Sequence, residues 1–325
     1  MSNKVFLEEF NRIEGDWEQS LAHCFTNTIF VTPWFQRIWW RVFGDGSQLR
    51  ILTVRDGESV IGIAPMLLSD GTLTFLGGSD LFDYHDFLVP KGNEQRFFET
   101  LFDHIGMMEW DTIDLRSVPQ DSPTICFVSL IGEQMGYSLE VVKEDVVPFL
   151  DLPSTWDQYV GELPKKSRHE LRRKIRRLEN EGVVKQYSCT DDHSVREGMQ
   201  QFFHLHKISR PDKKLFMNRD RERFFLDIAL ELADKGQLHL AMLELDGKCV
   251  ASCISFDYLG SRLLYNSGYD PEYSNLSVGF VNKAFAIKEA ISDGKHTFNF
   301  LRGAERYKYD LGAKDSTVYR LVLRR

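Results

Sequence analysis

Hydrophobic positions along this chain recur in two rhythms, and the rhythms come twice in the same order. An apolar run from Trp34 to Phe43 follows Pro33 and predicts a helix. Next come Leu49-Arg-Ile-Leu-Thr-Val-Arg55 and Val60-Ile-Gly-Ile-Ala-Pro-Met-Leu-Leu68, two β-rich runs around Asp56-Gly57 that predict a hairpin. A second turn at Asp70-Gly71 leads to Leu73-Thr-Phe-Leu76. Asn93 to Met107 and Pro123 to Met135 read as helices, and Thr112 to Leu115 and Tyr137 to Val142 as extended.

The second half repeats this after a helical stretch. Ser154 to Leu163, Lys165 to Gly182, Val195 to Ile208 and Asp220 to Lys235 predict helices. Leu238 to Leu245 and Val250 to Phe256 flank Asp246-Gly247, and Arg262 to Tyr269 is a further strand. Val278 to Ser292 is a helix, and His296 to Leu301 and Val318 to Leu323 are strands.

A shift of 190 positions lays Asp56-Gly57 on Asp246-Gly247, Val60 on Val250, Leu73 on Leu263, Gly78 on Gly268 and Asp80 on Asp270. With a slightly different shift, Thr112-Ile-Asp-Leu-Arg116 resembles Thr297-Phe-Asn-Phe-Leu-Arg302 with one residue inserted. The matches fall at equivalent turns and point to duplication. The expected fold is mixed α/β, two tandem units of residues 1–150 and 151–325, each a mostly antiparallel mixed sheet flanked by helices. A length of 325 residues suits two domains.

Composition changes this picture little. Hydrophobic residues make up 42% and charged residues 27%, as in an ordinary globular protein, and the net charge of −8 argues against adsorption of the whole surface to nucleic acid or membrane. Met1 to Phe10 carries Lys4, Glu8 and Glu9, so it lacks a signal peptide's apolar core, and no run approaches the about 18 apolar residues of a membrane span. Five scattered cysteines with no Cys-x-x-Cys fit a reduced, cytoplasmic setting, and no metal signature is expected.

The segment with most chemistry is Leu264 to Phe280, where a strand ends, a short loop carries Ser277 and Gly279, and a long helix begins. Unpaired N–H groups and the helix dipole favour an anion there, and small residues let a phosphate come close; a plain connection capped by Ser277 is the alternative. Asp83-Tyr84-His85-Asp86 is a polar cluster suited to an amine or a sugar, or a polar turn; if extended, Tyr84 and Asp86 share a face. The helix from Pro164 to Leu178 buries Leu171, Ile175 and Leu178 and turns a stripe of cations outward. That stripe is either a solvated face or a site for RNA backbone, a polyphosphate-linked lipid or cofactor phosphates. Cys249 and Cys253 read as buried core thiols, and no Walker loop or hydrolase elbow is present.

Tyr265-Asn-Ser-Gly-Tyr-Asp-Pro-Glu-Tyr273, Ser277-Val-Gly279 and Phe298-Asn-Phe-Leu-Arg-Gly-Ala-Glu-Arg-Tyr-Lys308 carry a family resemblance. The second half resembles the GNAT-type acyltransferase domain of bacterial proteins of cellulose or exopolysaccharide biosynthesis, and the tandem plan is similar to that of Fem-type peptidoglycan aminoacyltransferases. Phe75-Leu-Gly-Gly and Asp83 to Phe87 carry it more weakly in the first half. The resemblance implies an N-acyltransferase with acyl-CoA, chiefly acetyl-CoA, as co-substrate and an amine of a sugar, amino acid or envelope precursor as acceptor. A Fem-type transferase using aminoacyl-tRNA, or a non-catalytic protein keeping the fold, are the alternatives.

By that resemblance, Tyr265, Gly268, Ser277, Val278, Gly279, Phe280 and Arg302 would bind the cofactor. Backbone groups at Asn266 and Ser267 would lie beside the thioester, Tyr307 would protonate the leaving thiolate, and Glu305 would be a general base, an acceptor ligand or a charge at a helix start. Arg168, Arg172 and Arg173, and His206 and Arg210, with Asp83, Tyr84 and Asp86 from the first half, would serve the acceptor, and Lys308 would bind an anionic group there or simply be exposed. The usual phosphate loop reads Arg/Gln-x-x-Gly-x-Gly/Ala, whereas this chain has Ser274 and Ser277 at its first two marked positions.

Overall fold

The computed structural model describes residues 3–325 and divides the chain into two units. The first runs to Val146 and takes in Thr317–Arg325; the second is Val147–Ser316. The final strand, expected in the second half, therefore belongs to the first unit.

The first unit contains β1 (Lys4–Glu8), α1 (Phe10–Leu21), α2 (Pro33–Phe43), β2 (Gln48–Asp56), β3 (Ser59–Ser69), β4 (Thr72–Phe75), α3 (Glu94–Gly106), β5 (Thr112–Pro119), α4 (Pro123–Gln134) and the start of β6 (Ser138–Asp151). The second continues with the end of β6, α5 (Trp156–Glu162), α6 (Lys165–Glu181), β7 (Val184–Cys189), α7 (Asp192–Ser209), α8 (Pro211–Phe216), α9 (Arg219–Asp234), β8 (Leu238–Leu245), β9 (Lys248–Tyr258), β10 (Ser261–Tyr269), α10 (Val278–Ser292), β11 (Thr297–Asn299) and α11 (Arg306–Asp310). Then comes β12 (Lys314–Arg324).

The same strand order appears in both units. In the first it is β1-β2-β3-β4-β5-β12, in the second β7-β8-β9-β10-β11-β6. The antiparallel meander and the one parallel pair, β4 with β5 and β10 with β11, occupy matching places. Each unit's sixth strand comes from outside the repeat: β12 from the C-terminus and the end of β6 from the segment joining the halves. Backbone details repeat too. Asp70-Gly71 and Leu259-Gly260 both take paired positive φ angles, as a two-residue hairpin requires, and Ser117 near the end of β5 and Leu301 just past β11 sit at φ 60° and 59°.

Burial explains the elements. β3 and β9 are buried continuously over Ile61–Leu67 and Val250–Phe256, as expected of strands covered on both faces. α3 turns Phe97, Phe98, Leu101, Phe102 and Ile105 into the first unit's core, where Leu321 and Leu323 of β12 join them. In the second unit Ala284, Ile287 and Ala290 of α10 pack with Leu264, Phe298 and Phe300.

Several elements were not anticipated. β1 is mostly exposed and lacks an alternating pattern, and it forms by pairing with β2. α1 carries a readable signal, Phe10, Ile13, Trp17 and Leu21 on one buried face. β7, the six-residue α8 and the five-residue α11 are also additions.

A candidate anion pocket at the start of helix α10

The parallel pairing of β10 with β11 lasts only from Ser261 to Leu263. β11 stops at Asn299, whereas β10 shifts register between Leu264 and Asn266 and continues to Tyr269 along β9. A β-bulge of this kind re-aims the backbone. The chain then passes through a 3-10 segment, Pro271–Leu276, and enters α10. In the first unit β4 ends at Phe75 and residues 76–93 precede α3, so the short connection is peculiar to the second unit.

Ser277 stands at the N-cap of α10 with φ 58° and ψ 34°, the left-handed conformation that glycine adopts without cost. The departure from glycine in the sequence therefore leaves a glycine-like backbone in place. No side chain caps the helix start, although the N–H groups of Phe280 and Val281 turn back to Ser277 O. Gly279 is fixed by its neighbour: a Cβ there would lie 3.1 Å from the Tyr269 ring.

Around this helix start lies a pocket of about 290 Å³ lined by Ser277, Val278, Gly279, Phe280, Lys174, Lys283 and Tyr307, among others. Lys174 Nζ lies 3.8 Å from the centre of the Phe280 ring. Lys283 is buried; its Nζ donates to Gly279 O at 3.1 Å and stands 4.8 Å from the centre of the Tyr307 ring. Burial pushes the pKa of both lysines down. Burial, with the Glu305 and Cys253 charges, pushes the Tyr307 phenol far above its ordinary value, so it stays protonated. Neither lysine was singled out from sequence. Lys283 carries a signal, a cation on an otherwise buried helical face one turn after Gly279.

The Phe298 to Lys308 motif is a clamp. Lys308 is 1% exposed, and its Nζ donates to the carbonyls of Leu301, Arg302 and Gly303 at 2.9, 2.7 and 2.9 Å while pairing with Glu305 at 2.9 Å. This corrects its expected role: Lys308 holds the loop and is closed to a ligand. Arg302 contributes its carbonyl to the clamp. Glu305 is exposed at the N-cap of α11.

Two other cofactor assignments change. Gly268 is buried because α7 crosses it; a Cβ would lie 2.5 Å from Leu205 C and 2.6 Å from His206 Cα. Tyr265 stacks on Phe225 at 5.1 Å and packs on Phe256 at 5.2 Å, inside the unit. Beside them the Ser267 N–H donates to Asn266 Oδ1 at 2.8 Å, and Ser267 O accepts from Lys213 Nζ.

The expected acceptor residues separate. His206 is 1% exposed, and burial with the nearby Lys213 charge lowers its pKa to about 3, so it is a neutral packing group that reaches Asn266. Arg210 is exposed and pairs with Asp212 at 3.0 Å. In α6, Arg173 is paired with Glu170 at 2.7 Å. Arg168 and Arg172 line an open groove of about 1040 Å³ with Trp156, Lys165, Lys166 and Arg176. Among the described residues none of those five cations forms an ion pair with a carboxylate. In the first unit Asp86 is 2% exposed and accepts from Thr26, from Thr124 at 2.5 Å and from the Phe87 N–H at 2.9 Å. Burial raises its carboxyl pKa against those bonds, and its role is to anchor the chain. Tyr84 packs 6.2 Å from Phe30, and it and Asp83 are half-buried with internal partners in a non-extended loop.

His239, Asp257 and Asp293 could in principle surround a metal ion. The cation there is already supplied by Arg262, fully buried, at 2.8 Å from Asp257, 2.7 Å from Asp293 and 2.7 Å from His239.

Residues 165–309 match the model of the acetyltransferase (GNAT) domain, and the chain as a whole has a tandem GNAT-like fold. The structure is similar to that of FemX, with a TM-score of 0.66 and 12% identity over 98% of this chain and 96% of that one. A tandem GNAT protein from the clavulanic acid biosynthesis pathway is similar at TM-score 0.56 and 12% identity, covering 98% of each chain. L-PGS from Bacillus licheniformis gives 0.56 and 12%, covering 89% and 90%. No curated protein matches the sequence significantly. No described helix is long and apolar enough to cross a membrane.

Proposed function

We propose that the second unit is an N-acyltransferase that takes its acyl group from a CoA-type thioester and passes it to an amine. The observation that carries this reading is the start of α10: a helix terminus without a side-chain cap, its N-cap held in a left-handed turn, opening on a pocket with two lysines and a protonated tyrosine. Backbone N–H groups, dipole and lysines together suit a pyrophosphate. The donor supplies an activated carbonyl. The residues of the chain do the rest: Lys174, Lys283 and the Val278 and Gly279 N–H groups hold negative charge, Tyr307 gives a proton to the departing sulfur, and exposed Glu305 takes one from the acceptor amine. The acceptor class we favour is a sugar, an amino acid or a polysaccharide or envelope precursor.

Calorimetric titration with acetyl-CoA and longer acyl-CoAs tests this. Binding to the wild type, weakened about tenfold or more by Lys283→Met through loss of a charge-assisted contact, is the expected result. No heat with any acyl-CoA would sink the reading.

The α6 groove favours a second reading, transfer from aminoacyl-tRNA, with five cations that no described carboxylate pairs facing the groove where phosphates would lie. It requires steeply salt-dependent tRNA binding that is lost in Arg168→Glu/Arg172→Glu; salt-insensitive binding, or none, would remove it.

A further inference from the structure

Lys213 and Lys214 are adjacent in sequence and opposite in environment. Lys214 is exposed. Lys213 is half-buried, and its Nζ donates to Ser267 O, on the part of β10 that has outrun β11. Lys283 of α10 and Arg210 at the end of α7 face it with positive charge, and Glu305 before α11 and Asp212 of α8 with negative charge. The neutral His206 ring of α7 is also near. Burial and the two cations outweigh the two carboxylates and push the amine down to about 7. A desolvated lysine beside another cation is a recognised way to make an amine nucleophilic at neutral pH.

We propose that Lys213 is an internal acyl acceptor, a self-acylation site fed by the thioester donor bound at the start of α10. This rests on the acyl-transfer reading above. In the step, the neutral Nζ attacks the thioester carbonyl, an N–C bond forms and the C–S bond breaks. The sulfur leaves as a thiol, its proton supplied by Tyr307, and the amine's surplus proton passes to Glu305. The product is an uncharged secondary amide, with one N–H still able to reach Ser267 O. Acylation removes the positive charge shared with Lys283 and adds bulk beside Asn266 and Ser267. A donor loaded without an external acceptor thus discharges onto the chain and obstructs the next turnover.

The test incubates the full chain at neutral pH with acetyl-CoA or, separately, with N-hydroxysuccinimidyl acetate, which needs no cofactor site. Mass spectrometry then follows acetylation of Lys213 against Lys214, an internal control in the same segment. An amine at about 7 offers roughly a thousandfold more free base at neutral pH than one at about 10.4, and lower basicity and reduced access take back part of this. Lys213 is therefore expected to react at least about tenfold faster than Lys214 with both reagents. Excess CoA should suppress only the acetyl-CoA reaction, and Lys213→Arg should abolish the fast site while retaining acetyl-CoA binding by calorimetry. If acetyl-CoA binds and Lys213 reacts no faster than Lys214, this proposal is overturned and the donor reading survives. If acyl-CoA does not bind at all, the donor reading fails and self-acylation falls with it, whatever the active ester labels.

Discussion

Two glycines that a sequence reading puts in one cofactor cradle should behave differently when each is given a methyl group. At Gly268 the new Cβ would lie 2.5 Å from Leu205 C and 2.6 Å from His206 Cα, where ordinary contact begins at 3.4 Å. These are backbone atoms near the C-terminal end of α7, so no side chain can swing aside; this end of the helix must lift off β10 by about 1 Å. Overpacking of this kind costs about 3 kcal/mol, and for a unit of this size that lowers Tm by roughly 6–12 °C. At Gly279 the new Cβ meets the Tyr269 ring at 3.1 Å, a contact that a small ring displacement relieves. Alanine also gains up to about 1 kcal/mol of helix propensity over glycine. Gly279→Ala should therefore hold its Tm within a few degrees yet bind acetyl-CoA about tenfold more weakly, because the methyl group stands where an anion approaches the helix start. Thermal unfolding and calorimetry on both variants decide the matter. A Gly268→Ala protein with wild-type Tm, or a Gly279→Ala protein destabilised as much as Gly268→Ala, would refute the division of roles.

Asp86→Ala strips the shared acceptor from Thr26, Thr124 and the Phe87 N–H and should cost the first unit about 3 kcal/mol in denaturant unfolding, with acyl-CoA binding in the second unit unchanged. Tyr307→Phe should lower turnover about a hundredfold while donor affinity stays within about twofold; an equal loss of binding would make the tyrosine a structural group. Arg262→Met should destabilise the second unit by about 3–5 kcal/mol, since it leaves Asp257, Glu289 and Asp293 without their buried cation. The pH dependence of that network has a definite sign. Burial opposes ionisation of Asp257, but His239, Arg262 and Lys295 win and depress it, and Arg262 and His239 likewise depress Glu289. These carboxylates stabilise the fold above their unfolded values of about 4, and the stabilisation is lost as pH falls through the folded values. Burial also opposes protonation of His239, but Asp257 and Glu289 raise it, so its contribution is full below about 6.5 and lost as pH rises through the folded value. His239→Gln should flatten the alkaline side of a urea-midpoint profile and only weaken the acid side, where Arg262 and Lys295 still hold Asp257 ionised.

The tandem plan was legible because its evidence is local. A tight turn needs Asp-Gly or its like, and those turns recur at fixed spacing; hairpins follow from them, and the helices follow from apolar faces such as Phe97 to Ile105. The exchange of end strands was not legible. β12 and the end of β6 occupy the same place in the two units, and no feature within Val318–Leu323 tells whether it will pair with Thr112–Pro119 or with a strand of its own half. That choice is made by partners far away in sequence. The same distinction sorts the site residues. The helix start at Ser277 to Phe280 could be located because its turn and the apolar run after it are local signals, and a helix start exposes its own N–H groups wherever it lies. Lys308, His206 and Gly268 were misread because residue type shows what a side chain can do, whereas packing decides whether it meets a ligand. Lys308 has the chemistry of an anion binder and spends it on three carbonyls of its own loop. Lys213 inverts that case. It sits in a polar, unpatterned stretch where sequence offers no reason to prefer it to Lys214, and only the approach of α10 and β10 makes one of the two a reactive amine. The residues that most need testing are therefore those whose chemistry is created by distant neighbours.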